Sequence, residues 1–345
     1  MNMKYDIRKI IGPRIIKTGL STFLTALICM ALDLPPIFAV ITAIVTIEPT
    51  AYASLKKAYV RFPASIIGAF IAVTSLYIFG ENAFTYSLAA TLTILVTYRL
   101  NLHSGVLVAA ITAVAMVPSV QDAYVFNFLS RLATTTIGLA TSTLVNFLIL
   151  PPKYAGQIEA LTKASTKQTH SLLIQRLGEL VAGKYESDKS EKAYTKVQNA
   201  ITETEKLLKY QQDEYRYHKS NREEMRLMNQ LERELQFKKL YFTHLGNLIY
   251  LPEDISMKFT PQEKAAVEEI IDYLNRDLDE LTMTNSAVRF IRRHIRGLDD
   301  EQDAFKIHLL YEIIIIYQMI VQHHKAGSST HKKVQTNSRP KDGTT

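Results

Sequence analysis

Charge is spread along this chain in a way that few folds tolerate. Ile15–Leu150 holds 136 residues and only 10 Asp, Glu, Lys or Arg, whereas Pro151–Thr345 holds 58 in 195. The first stretch has too few charges to cover a soluble domain, whose ionisable side chains collect on its surface. The second has an ordinary soluble composition. A lipid-embedded part followed by a water-exposed part satisfies both, and 345 residues suffice for two domains. The expected division is a transmembrane domain at residues 1–150, a cytoplasmic helical bundle at 151–325 and a disordered tail at 326–345.

A helix needs about 20 apolar residues, roughly 17–25, to cross the hydrocarbon core. Six segments fit: Ile15–Ala31, Ile37–Ser54, Phe62–Phe79, Phe84–Tyr98, Ser104–Val120 and Leu129–Leu150, the second and fifth with a proline near their ends. Cations fall on one side of these spans. Lys4, Arg8, Lys9, Arg14 and Lys17 precede the first, Lys56, Lys57 and Arg61 follow the second, Arg99 follows the fourth and Lys153 the sixth. The opposite loops carry Asp33, Glu81 and Asp122, with Arg131 the only cation nearby. Basic loops stay in the cytoplasm, so both termini of a multi-pass plasma-membrane protein are expected there. Lys17 reads as an interfacial anchor. The net charge of +7 collects beside the membrane and in the tail, which points to membrane lipid rather than nucleic acid as partner. The single cysteine, Cys29, excludes an internal disulfide framework. A cleaved signal peptide fits poorly, because no small-x-small site follows the first apolar run.

An offset of 70 residues superposes "ITAIVTIEPT" (Ile41–Thr50) on "ITAVAMVPSV" (Ile111–Val120), with 8 identities in the 30 positions from Ala39 to Gly68. Each copy holds three spans, and an odd number inverts the second copy, giving a 3+3 inverted repeat of the kind that builds transporters with broken helices at the repeat interface. Pro49 and Pro118 remove backbone donors near the ends of spans two and five, and Glu48 adds a charge beside one of them. These three are the candidate coupling or gating residues; the plainer alternative is that they end helices. Gly68 and Gly138 sit in stripes of small residues that allow close helix packing. Arg61 and Arg131 lie seven residues before those glycines, on the same faces. A guanidinium matches a carboxylate, and a charge inside a membrane is by default a functional candidate. Both arginines are therefore candidate substrate-binding residues, against a plainer reading of Arg61 as a helix-end anchor.

After Pro151-Pro152 the pattern is helical throughout, without strand alternation. Helices are expected at Lys153–Ala182, Glu191–His218, Arg222–Tyr250, Pro261–Leu281, Asn285–Leu298 and Ala304–His323, packed as an antiparallel bundle. Arg289, Arg292, Arg293 and Arg296 form a basic face opposite Val288, Ile291, Ile295 and Leu298. That face suits anionic lipid or a charged ligand; pairing with Asp277, Asp279 and Glu280 is the alternative. His323, His324 and His331 are not expected to bind metal. With no phosphate loop, zinc-spaced Cys/His set or nucleophile elbow, neither enzymatic activity nor a cofactor is expected.

The stretch "LPPIFAVITAIVTIEPTAYASLKKAYVRFPASIIGAFIA" has a short second span ending in Pro-Thr, a basic segment, then Arg-x6-Gly. It resembles the membrane domain of the aromatic acid exporter family, within the fusaric acid resistance group. "PPKYAGQIEAL" onward is similar to the C-terminal cytoplasmic helical domain of six-span members from Gram-positive bacteria. The resemblance covers Met1–His324. It implies proton-driven export of aromatic carboxylic acids, with Glu48-Pro49-Thr50 and Arg61 at family positions, and a homo-oligomer, taken as a dimer. A small organic anion is the expected substrate. A non-transporting scaffold or sensor and an anion channel remain the alternatives.

Overall fold

The computed structural model describes residues 12–119, 123–184, 187–217, 220–251, 259–276, 282–298 and 303–337. Among them are twelve α-helices, two short 3-10 turns and no strand, so the fold is all-α. The helices are α1 (Pro13–Ala31), α2 (Pro36–Thr46), α3 (Ala51–Phe79), α4 (Ala83–Arg99), α5 (Val106–Met116), α6 (Tyr124–Leu148), α7 (Ala155–Ala182), α8 (Ser187–Glu214), α9 (Arg222–Ile249), α10 (Pro261–Asn275), α11 (Ser286–Ile295) and α12 (Ala304–Asn337). They fall into two compact units. The first is residues 1–154 with 209–220, and the second is residues 155–208 with 221–345.

In the first unit α3 and α6 are the central helices: α3 packs against α4, α5 and α6, and α6 against α1, α2 and α3. Small residues let the helices cross at backbone distance. An added Cβ at Gly68 of α3 would lie 2.5 Å from the carbonyl oxygen of Ala109 in α5, and one at Gly138 of α6 would overlap that of Ala39 in α2. By length and composition Pro13–Ala31 and Ala51–Phe79 reach what a membrane crossing needs; Pro36–Thr46 and His103–Met116 are apolar but shorter.

The chain differs from the sequence expectation around span two. That segment is not one helix to Ser54: α2 stops at Thr46, Ile47–Thr50 is not helical, and α3 starts at Ala51. Pro49 offers no N–H and restricts Glu48 before it, while the Thr50 hydroxyl accepts from the Ala53 amide at 3.0 Å and caps α3. Lys56, Lys57 and Arg61, expected in a loop, therefore stand on the first turns of a 29-residue helix. That helix continues through Pro63. Lys17 is not an exposed anchor either; it is buried, and its ammonium is bonded to Asn146. After α5 comes a 3-10 turn at Val117–Ser119 that contains Pro118. Asp122 and the cations Lys4, Arg8 and Lys9 lie outside the described residues.

The second unit packs α7, α9, α10, α11 and α12 around one core that includes Leu177, Leu245, Ile270, Ile291, Leu310 and Tyr317. The stretch Ala304–Ala326 of α12 is long and apolar enough to cross a membrane, yet its Leu309, Leu310, Ile313 and Tyr317 are at most 1% exposed inside this core. Arg176 is fully buried because it serves the end of α9: Nε donates to the Leu248 carbonyl at 2.6 Å and Nη2 to that of Ile249 at 2.9 Å. Lys238 is also buried and bonds the Thr162 carbonyl and the Ser165 hydroxyl. Its burial pushes the ammonium pKa down to about 8. The last helix extends past the expected His323 to Asn337, and residues 338–345 of the tail lie outside the described residues.

Candidate functional site

A chain that leaves helical geometry inside a packed unit must find partners for its backbone groups. Around the break each carbonyl does so. That of Val45 accepts from Arg61 Nη1 at 2.8 Å and that of Thr46 from the Ser54 hydroxyl at 2.9 Å. That of Ile47 accepts from Arg14 at 3.4 Å, and that of Pro49 from the Tyr154 phenol at 2.9 Å. Those of Glu48 and Thr50 both accept from the Asn146 amide at 3.1 Å, which also donates to Ser54 at 2.7 Å. Lys17 holds this clamp from behind, donating to Asn146 Oδ1 at 2.8 Å. At the first turn of α3 the Ala51 amide donates to the Glu214 carboxylate at 2.8 Å. Burial and the nearby Glu214 charge push the Tyr154 phenol up to about 12, so it remains a donor.

Glu48 points its carboxylate at two cations, Lys57 at 2.9 Å and Arg61 at 3.2 Å. Arg61 is 8% exposed and fully engaged, since its Nε also donates to the Ser104 carbonyl at 3.3 Å. Arg131 is 6% exposed and differently placed. Its Nη2 donates to the Thr112 hydroxyl at 2.5 Å, and its guanidinium lies 4.0 Å from the centre of the Phe38 ring. Its Nε and Nη1 have no acceptor among the described residues, and neither do the buried hydroxyls of Ser65 and Thr135 as hydrogen-bond partners. These three side chains line one void with Phe62, Ile66, Ala69 and Leu132, too narrow for a water-sized sphere. A buried charge without a partner costs several kcal/mol, so a void lined by residues with unpartnered donors is a place where an anion would be stabilised.

Residues 9–149 match the profile described as aromatic acid exporter family member 1. A UPF0421 protein of Staphylococcus haemolyticus is 46% identical over 317 residues, 91% of this chain and 96% of its own length. One from Staphylococcus epidermidis is 45% identical over 324 residues, 93% and 98% of the two chains, and one from Staphylococcus aureus 44% over 317 residues, 91% and 97%. The chain belongs to the UPF0421 family, and its residues 9–149 match an aromatic acid exporter family profile. That profile describes membrane transporters, and the apolar helices of the first unit fit a membrane protein.

In this chain the structure brings Glu48, Pro49 and Arg61 together at the break and sets Arg131 apart from them. Sequence reasoning finds Thr135, whose run Thr134–Thr136 could line a polar path, but misses Asn146, Ser65 and Glu214. Ser65 was findable, being related to Thr135 by the same 70-residue offset as the arginines; Asn146 and Glu214 carry no local signal. In the second unit, Arg289, Arg292, Arg293 and Arg296 are exposed on α11, whose Val288, Ile291 and Ile295 are buried in the core. The acids Asp277, Asp279 and Glu280 lie outside the described residues. His323 stacks on Phe237 at 3.7 Å beside Glu234, and no cluster suited to a metal occurs among the described residues.

Proposed function

We propose that the chain is a secondary exporter of small aromatic organic acids in the plasma membrane. Its first unit would cross the membrane six times as a 3+3 inverted repeat, with both termini cytoplasmic. The repeat is supported by exchanged contacts: at the 70-residue offset Gly68 corresponds to Gly138 and Ala109 to Ala39, and each glycine meets the other half's alanine carbonyl. The observation that carries the transport reading is the void lined by Arg131, Ser65, Thr135 and Phe62, since two guanidinium nitrogens of Arg131 and the hydroxyls of Ser65 and Thr135 have no partner among the described residues. In this reading Arg131 holds the substrate carboxylate, Ser65 and Thr135 complete its hydrogen bonds, and Phe38 and Phe62 flank the aromatic body. The narrowness of the void corresponds to a closed state, and α3 and α6 must separate to admit an anion. Arg61 serves the break and places Glu48, whose protonation would release Lys57 and Arg61.

One observation favours a second reading. Glu48 already sits between two cations, an arrangement that suits a fixed ion pair in an anion channel as well as a proton carrier. Purified protein in liposomes, loaded with labelled aromatic carboxylates with and without a pH gradient, separates the two. Gradient-driven flux that Arg131→Gln abolishes supports the exporter, flux that follows only the anion's own gradient supports the channel, and no flux from folded protein overturns both.

A further inference from the structure

The break is held by more than helices α1–α6. Residues 209–220 lie far along the sequence from α1–α6, yet they cluster with the first unit. They do so at one place. Glu214, 2% exposed, puts Oε1 2.8 Å from the Ala51 amide, a first-turn N–H of α3 that has no carbonyl partner within the helix. Gln211, 4% exposed, accepts from the backbone amide of Tyr154 at 2.6 Å, and the same Tyr154 bonds the Pro49 carbonyl. Tyr210 lies 5.7 Å from the Tyr154 ring. Tyr217 lies 6.1 Å from Tyr52 and 6.2 Å from Phe147, and the Arg216 guanidinium stands 4.5 Å from the centre of the Tyr52 ring. Apart from the contact of Tyr217 with Phe147 of α6, each of these contacts touches the first turn of α3 or the residue that bonds Pro49.

We propose that Tyr210–Tyr217 is a latch on the α2–α3 break, with Glu214 as the carboxylate that holds it, and that anion flux requires this segment to withdraw. Three features make it a latch rather than filler. Its main polar bond goes to a helix-terminal amide, where a carboxylate is favoured by the peptide dipoles. Its aromatic contacts are tilted or edge-on and partly exposed, with Tyr217 42% exposed, so they can be undone without opening a core. It also closes α8, a helix that begins at Ser187 among the residues of the second unit, so a change there can travel along one continuous element. Pro49 makes the break a built-in discontinuity, which the latch fixes in one conformation.

The consequence for flux rests on the transport reading above; the hold on the break does not. The test is hydrogen exchange of residues 48–54 together with flux, on the full chain in lipid, comparing wild type with Glu214→Ala. The latch predicts exchange at the Ala51 amide at least tenfold faster in the variant, with α6 protection unchanged, and flux raised at least threefold. Tyr154→Phe, which removes only the bond to Pro49, should move both readouts the same way by less. Unchanged exchange in both variants overturns the latch whatever the flux. Faster exchange with unchanged flux, in a protein whose wild type transports, also overturns it, because the segment would then be only structural. Faster exchange in a protein with no flux in any form sinks the transport reading and leaves the hold on the break supported.

Discussion

Arg61 and Arg131 occupy the same place in two similar stretches of sequence and live in opposite surroundings. Arg61 spends its donors on two carbonyls and the Glu48 carboxylate. Arg131 has one hydroxyl, one aromatic ring and a narrow void. The difference traces to one substitution between the halves, because the position 70 residues after Glu48 is Pro118. With an acid in reach, an arginine becomes part of the scaffold. Arg131 has none among the described residues, and the desolvation cost it bears is what makes it a functional candidate.

The sharpest way to break this comparison is to neutralise each arginine in turn. Arg61→Gln should lower the stability of the folded protein by about 3–5 kcal/mol, since it leaves Glu48 short of a partner in a buried setting, read as a fall in thermal midpoint. Arg131→Gln should leave that midpoint unchanged or raised and reduce anion flux about a hundredfold. If the two outcomes are exchanged, the roles assigned here are wrong. Next in size are the glycines: Gly68→Ala and Gly138→Ala should each cost about 1–3 kcal/mol by overpacking a backbone contact, and they should do so equally, because their surroundings match where those of the arginines do not.

Lys238 supplies a control from the second unit, a buried cation with no acid bonded to it among the described residues. Its pKa falls from 10.5 to about 8 on folding. Between those values the unfolded chain binds more protons, so stability should climb as pH rises from about 8 towards 10.5 and stay at its lower level below pH 8. Lys238→Met should raise the thermal midpoint at pH 7 and flatten that climb, in thermal unfolding followed across pH. The smallest effect belongs to the void: Ser65→Ala and Thr135→Val should each weaken apparent affinity for the anion about three- to tenfold, the worth of one hydrogen bond, while Thr134→Val, on the neighbouring position of α6, should not.

Much of this was written locally in the sequence. Apolar periodicity and turn residues place most helices of the second unit to within a few residues, and the proline after an acid announces the break. The extent of the break was not legible, because the run from Ile37 to Ser54 is apolar enough to mimic one span; Thr50 as a cap decides it. Asn146 and Lys17 were misjudged or missed for a shared reason. Each reads as an ordinary polar residue near a helix end, and its role appears only through a partner 92–129 positions away. The separate duties of the arginines were half visible, since the offset that aligns them also shows Glu48 without a counterpart.

The exchanged glycine contacts carry a historical consequence. Gly68 in the first half meets Ala109 in the second, and Gly138 in the second meets Ala39 in the first. Neither half covers its own glycine. On the inverted-repeat reading proposed above, a single three-helix ancestor would have lacked a surface for that residue and would have paired with an inverted copy of itself, so that gene duplication and fusion would have joined two molecules already in contact.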